Sequence, residues 1–102
     1  MCIIYLHMNK QEIFDRCRDA VESVTGMIYV KMMITRNVEA VNARMLLVRH
    51  LADYGFTEAE ISEYTYMKQQ RINYLKNEAL KRIAYNRLMR VMYDEVERIM
   101  RE

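Results

Sequence analysis

The chain has 102 residues, of which 52% are hydrophobic, so it can bury one modest core but is too short for a nucleotide-hydrolysing motor or a two-domain enzyme. It contains two glycines and no proline, and helix-forming residues dominate, so the composition predicts an all-α fold. The formal net charge of +2 hides an asymmetry, because residues 65–90 hold seven Lys or Arg against one acidic residue, whereas residues 1–64 hold seven against nine. Such a basic segment is typical of nucleic-acid binders, although a solvated helix face explains it as well.

The cysteines and histidines give no pattern that indicates a metal site. Cys2 and Cys17 lack the CxxC spacing, and His7 and His50 lie far apart in the sequence. We therefore expect a reducing cytoplasmic location and neither metal nor cofactor. The apolar opening of residues 1–6 is shorter than a signal-peptide core or a membrane span, so we expect no membrane partner. Residues 1–8 are interpreted as an N-terminal tail, with residues 1–7 hypothesised to be an upstream extension of the reading frame.

The first predicted helix runs from Lys10 to Thr25. Asn9 and Glu12 form a capping-box pattern at its start, an apolar stripe follows, and Gly26 suits a left-handed C-terminal cap. Residues 27–34 are apolar and partly β-branched, so their pattern fits either a short helix or an extended connector, and we favour the helix.

Two further helices are predicted from the middle of the chain to its end. Apolar residues recur on one face from Val38 to Tyr54, and Gly55 closes that helix. From Met67 onward no residue breaks the pattern, so a helix of roughly 35 residues would reach about 50 Å. One small core cannot cover that length. The part from about Tyr85 must therefore fold back at a bend, pack on the first helix, or pair with another chain.

The segment between these helices predicts a helix-turn-helix. A capping box at Thr57 and Glu60 opens a two-turn helix over residues 57–64, residues 65–66 form the turn, and the recognition helix begins at about Met67. We expect Ile61 and Ile72 to hold the two helices together. Lys and Arg suit guanine or phosphate, and Gln and Asn can pair with adenine. The predicted DNA-contacting residues here are Lys68, Gln69, Gln70, Arg71, Asn73 and Lys76.

Several short segments carry a resemblance to a known family. The sequence RNVEAVNAR at residues 36–44, DYG at 53–55 and FTEAEI at 56–61, with VTGM at 24–27 upstream, resembles the C-terminal DNA-binding domain of the bacterial replication initiator DnaA. The resemblance covers roughly residues 9–80 and implies that Arg36 and Arg44 touch the DNA backbone or minor groove. Residues 67–71 read MKQQR where that family has Arg-Asp-His followed by Ser or Thr, so the family's target sequence does not carry over.

These observations predict a stand-alone domain over residues 9–84, extended by a helical segment at residues 85–102. We expect a non-enzymatic protein that binds double-stranded DNA as a transcriptional or replication regulator of phage or mobile-element type. No small-molecule substrate is expected, because no glycine-rich phosphate loop and no nucleophile beside a base is found. A homodimer is compatible with this function. The alternative is a helical adaptor or structural protein that oligomerises through its C-terminal helix.

The tyrosines could instead suggest a base-stacking platform for single strands. Their spacing favours packing in the core and at interfaces. The residues concerned are Tyr64, Tyr66, Tyr74, Tyr85 and Tyr93.

Overall fold

The computed structural model describes residues 8–102, and residues 1–7 of the predicted tail, with Cys2 and His7, lie outside them. Within this range the chain is all-helical and has no strand, which confirms the all-α fold. The helices are α1 (Lys10–Thr25), α2 (Tyr29–Ile34), α3 (Val38–Asp53), α4 (Glu58–Thr65), α5 (Gln69–Tyr85) and α6 (Arg87–Met100).

The local signals place the early helices correctly. Both halves of the capping box at Asn9 and Glu12 are formed, and Gly26 ends α1 with a left-handed φ of 71°. A left-handed residue at this position lets the chain leave the helix while its N–H bonds back to the last turn, and glycine adopts it without strain. The apolar stretch that follows contains the short helix α2, as favoured from the sequence.

Helix α3 lies at the centre of the fold and packs against all five other helices. For this reason the middle of α3 is buried on every side rather than along one stripe, as the continuous buried run of residues 43–48 shows. Val38, expected on the inner face, lies exposed at the first position of the helix. The buried set includes two polar residues, Arg44 and His50.

The long C-terminal apolar stripe is divided by a bend at Asn86, so the continuous helix of 35 residues does not form. The Asn86 side chain accepts a hydrogen bond from the N–H of Met89 and thereby caps α6. Arg90 donates back to the carbonyls of Ile83 and Ala84 at the end of α5. Helix α6 then packs on α1, α3 and α5. The chain therefore folds back on itself and onto the first helix.

A cluster of polar side chains joins α3 to α6, and we call His50, Asp53, Tyr54, Tyr93 and Glu97 the inner polar cluster. The ring of His50 stacks on Tyr93 with centroids 4.2 Å apart, and its Nδ1 lies 3.3 Å from Glu97 Oε2. Tyr93 donates to Asp53 Oδ2 at 2.6 Å, and Tyr54 donates to Glu97 Oε1 at 3.0 Å. These contacts fix α6 against the central helix.

None of the helices that residues 8–102 form is both long and apolar enough to cross a membrane.

Candidate nucleic-acid interface

Helices α4 and α5 are joined by the tight turn that a helix-turn-helix requires. Thr57 and Glu60 form the predicted capping box at the start of α4. Helix α4 continues through Thr65, the turn comprises residues 66–68, and α5 begins at Gln69, two residues later than the Met67 expected from the sequence. Ile61 and Ile72 are both fully buried. Both belong to the hydrophobic core, and α4 packs on α5, as expected of residues that hold these two helices together.

The turn is built from local hydrogen bonds and one strained residue. Ser62 Oγ donates to the carbonyl of Met67 at 2.6 Å, and the N–H of Tyr66 donates to the carbonyl of Ser62 at 2.8 Å. Tyr66 has a φ of 63°, in the left-handed region that a side chain makes unfavourable. Its ring is 92% exposed, so little packing offsets that strain. Sequence reasoning missed this left-handed conformation, because neither glycine nor asparagine stands at the position.

The first turn of α5 leaves its polar side chains without partners in the protein. Lys68, Gln69, Gln70 and Arg71 are all exposed, and their side chains make no hydrogen bond or ion pair with any part of residues 8–102. Lys68 is the N-cap residue but provides no side-chain cap, so the first N–H groups of α5 are also left to solvent. These four sequence-predicted residues therefore lie together at one accessible helix start.

Two other predicted contact residues are held by α4. Glu58 Oε2 accepts from Asn73 Nδ2 at 2.8 Å and from Lys76 Nζ at 2.7 Å. The hydrogen bonds from Lys76 and then from Asn73 lower the pKa of Glu58 below its ordinary value, so the carboxylate stays charged at neutral pH. Asn73 Oδ1 in turn accepts from Asn77 Nδ2 at 3.3 Å. Glu58 and Asn77 were not identified from the sequence, although Asn77 lies one helical turn beyond Asn73.

The two arginines implied by the resemblance have different surroundings. Arg36 is exposed on the connector between α2 and α3. Arg44 is only 6% exposed, and its Nη1 donates to the carbonyl of Met32 at 2.5 Å and to that of Thr35 at 2.9 Å. Burial, and then the guanidinium of Arg71, lower the pKa of Arg44. Arg44 therefore ties the end of α2 to α3.

Arg44 also shows how the basic elements are arranged. It bonds to Thr35, the residue before Arg36, and is near enough to Arg71 to be affected by its charge. Arg44 therefore lies near both the connector that carries Arg36 and the Arg71 side chain at the start of α5. Lys76, bound to Glu58, belongs to the side of α5 that faces α4.

The predicted packing role of the tyrosines holds for only some of them. Tyr64 stacks on Phe14 with centroids 5.0 Å apart, and Tyr93 stacks on His50. Tyr66, Tyr74 and Tyr85 are exposed instead. Tyr66 borders an open depression of about 320 Å³ between α1 and α4, lined also by Gln11, Phe14, Glu63 and Tyr64. The depression lacks the mainly apolar, enclosed lining of a small-molecule site.

The described residues also hold no obvious reactive centre. Burial raises the pKa of the Cys17 thiol, which is free and fully buried, so it stays protonated and inert. No group of three His, Cys, Asp or Glu within residues 8–102 is arranged to hold a metal ion.

Comparison with known proteins found no family model, no curated protein and no solved structure that matches this chain.

Proposed function

We propose that this protein binds duplex DNA by placing the start of α5 in the major groove. The observation that carries the proposal is the set of four adjacent exposed side chains, Lys68, Gln69, Gln70 and Arg71, which have no partner among the described residues. They begin the second helix of a helix-turn-helix, the element that presents its first residues to base edges. Lys and Arg suit guanine or phosphate, and Gln suits adenine.

The uncapped start of α5 and the surrounding charge support contact with phosphate. Free N–H groups at a helix start, together with the helix dipole, attract anions. Residues 65–90 carry seven basic side chains and one acidic one. Arg36 adds an exposed positive charge on the α2–α3 connector, which Arg44 holds through the carbonyl of Thr35. In this proposal Arg36 contacts the DNA backbone or minor groove beside the groove that α5 enters.

Arg44 has a supporting part in the proposal. Its guanidinium is buried and bonded to two carbonyls, so it fixes the connector on which Arg36 sits. The resemblance of roughly residues 9–80 to the DnaA C-terminal domain implies direct DNA contact for Arg44 as well as Arg36, whereas the buried Arg44 acts here through the connector. A transcriptional or replication regulator of phage or mobile-element type is the biological role we attach to it.

The test is fluorescence anisotropy of a labelled random-sequence duplex at low and moderate salt. We expect affinity to fall steeply with salt, because neutralised phosphates release counterions. Arg71→Ala should weaken binding and reduce the salt slope by about one. Arg98→Ala is the matched control, since Arg98 is exposed on α6 and pairs with Glu95 and Glu102. Absence of binding at low salt, or binding that salt does not change, would contradict the proposal.

A helical adaptor remains a second candidate, favoured by two apolar side chains of α6. Leu88 and Val91 are 63% and 56% exposed, whereas the opposite face of the helix is buried against the core. An adaptor of this kind would oligomerise or bind a partner through that exposed strip. Sedimentation equilibrium of the wild type and of Leu88→Ser separates the two functions. A dimer that Leu88→Ser dissociates, in a protein that does not bind DNA, would favour the adaptor.

A further inference from the structure

The solvent-facing side of α5 continues well beyond its first turn. Ile72, Leu75 and Ala79 are fully buried and define the inner face of the helix. On the opposite side the residues Gln70, Asn73, Tyr74, Asn77 and Lys81 are all exposed. The first four have the spacing i, i+3, i+4 and i+7, which places them along one line. Helices that lie lengthwise in a major groove read bases through positions with this spacing.

Asn73 and Asn77, two of the carboxamides on this line, differ in how many of their hydrogen-bonding groups are free. Both the nitrogen and the oxygen of the Asn73 carboxamide are hydrogen-bonded, because Nδ2 donates to Glu58 and Oδ1 accepts from Asn77. Asn77 uses one N–H of its Nδ2 and retains the other N–H and its Oδ1. A free carboxamide oxygen beside a free N–H matches the N6 donor and N7 acceptor of adenine.

We propose that α5 lies lengthwise in the major groove and that Asn77 reads an adenine, with Gln70 reading a second base two turns nearer the helix start. This inference rests on the proposed function and adds the sequence class of the DNA. Seven helical residues span about 10.5 Å. At about 3.4 Å per base pair that distance corresponds to roughly three steps of the duplex. The target therefore holds an adenine about three base pairs from the base that Gln70 contacts.

Glu58 and Asn73 act as positioning residues in this scheme. The carboxylate of Glu58 is fixed on α4 between Lys76 and Asn73. Asn73 then orients the Asn77 carboxamide through the 3.3 Å hydrogen bond. The base-reading group is thus held by a second helix, which limits the rotamers that Asn77 can adopt before it meets DNA.

The test begins with selection of bound sites from a random duplex library and measures affinity for the selected site. In a second duplex, 7-deazaadenine replaces only the adenine about three base pairs from the base that Gln70 contacts, which removes N7 at that position and leaves N6. We expect wild-type affinity to fall on the order of tenfold with 7-deazaadenine. Asn77→Ala should bind both duplexes equally. Gln11→Ala on α1 is the matched control that removes an exposed carboxamide elsewhere, and it should retain the full difference.

Glu58 variants test the positioning step. Glu58→Gln keeps an acceptor for Asn73 and should retain most of the difference between the two duplexes. Glu58→Ala removes the acceptor and should reduce that difference several-fold. A merely structural effect would lower affinity for both duplexes by the same factor and leave their ratio unchanged, which would overturn the positioning step. Asn77 is exposed within a helix, and alanine is the best helix former. The Asn77→Ala variant should therefore fold.

The outcomes separate this inference from the function on which it depends. If the wild type binds no duplex at all, both are overturned. If it binds a selected site but Asn77→Ala keeps the full loss with 7-deazaadenine, only the reading of adenine by Asn77 is overturned. A selected site without adenine would overturn it as well, while DNA binding would stand.

Discussion

The inner polar cluster and the first turn of α5 both consist of polar side chains, but their surroundings are opposite. In the inner polar cluster, Tyr93 bonds to Asp53 and Tyr54 bonds to Glu97. At the start of α5, Lys68 to Arg71 make no side-chain hydrogen bond or ion pair with residues 8–102. Polar groups that bond to each other within the protein stabilise the fold, and those left to solvent are available to a partner at little cost. Whether a polar side chain has a hydrogen-bond partner within the protein therefore indicates its role better than its residue type does.

Two arginines show this difference most directly, because Arg44 and Arg71 are close enough for their charges to interact. Arg44 donates to the carbonyls of Met32 and Thr35 from a buried position. Arg71 is exposed. One contributes to the packing of α2 on α3, and the other faces the proposed DNA.

The largest expected effect comes from making the same substitution at these two arginines. Arg44→Met keeps an aliphatic side chain of similar length but leaves two carbonyls without their charged donor. It should lower the free energy of unfolding by about 2–3 kcal/mol. Arg71→Met should change that free energy by no more than about 0.5 kcal/mol, because its side chain has no partner to lose. Urea unfolding followed by circular dichroism measures both.

The two variants should rank the other way round in DNA binding, where Arg71→Met should have the larger effect. Arg71→Met should weaken the complex at moderate salt while the protein stays fully folded. Equal unfolding free energies for the two variants would show that the hydrogen bonds of Arg44 do not matter to the fold, and the contrast between the two arginines would fail.

The burial of Arg44 and His50 marks the limit of what the sequence could predict. Capping residues and glycines act within one turn, so Asn9, Thr57 and Gly26 were recognised from neighbouring residues alone. The burial of α3 all round its middle depends on the five helices that pack around it, and no local pattern contains that information. The bend at Asn86 was foreseen only as one of three alternatives, because an asparagine within an apolar stripe is a weak signal.

The inner polar cluster should make stability depend on pH. Burial lowers the pKa of His50 below its ordinary value, and the smaller opposing effects of Glu97 and Asp53 do not cancel it. The unfolded chain then binds a proton more readily than the folded one as the pH falls below about 6.5. Stability from this group is fully present above that pH and declines below it. Between pH 7.5 and 5.5 the wild type should lose about 1 kcal/mol.

His50→Gln provides the comparison, because glutamine cannot titrate in this range. Urea unfolding at both pH values should show a smaller loss for the variant than for the wild type, whatever its stability at pH 7.5. A wild type that gains stability as the pH falls would mean that Glu97 and Asp53 outweigh burial. His50 would then form a charged pair within the cluster.

The candidate site was predicted as a set of residue types but not as an arrangement. Lys68 to Arg71 were identified because a helix-turn-helix has a known order of parts. The part played by Glu58 was missed, since its bonds to Asn73 and Lys76 cross 15 and 18 residues of chain. Those contacts depend on the angle at which α4 crosses α5. Asn77 was also missed, although its hydrogen bond to Asn73 lies within one turn of α5, because the importance of that bond depends on how Glu58 holds Asn73.

The smallest expected effect concerns the turn that joins the two helices of the site, where Tyr66 has a φ of 63°. Asparagine tolerates the left-handed region better than tyrosine, so Tyr66→Asn should raise the free energy of unfolding by about 0.5–1 kcal/mol. Tyr85→Asn is the matched control, because Tyr85 is 90% exposed but has an ordinary φ at the end of α5. It should give no gain. If Tyr66→Asn is no more stable than the wild type in urea, the exposed ring contributes as much as the strain costs. If Tyr66→Asn is more stable but binds DNA more weakly, the exposed Tyr66 ring contacts the DNA, and the binding surface includes the turn before α5.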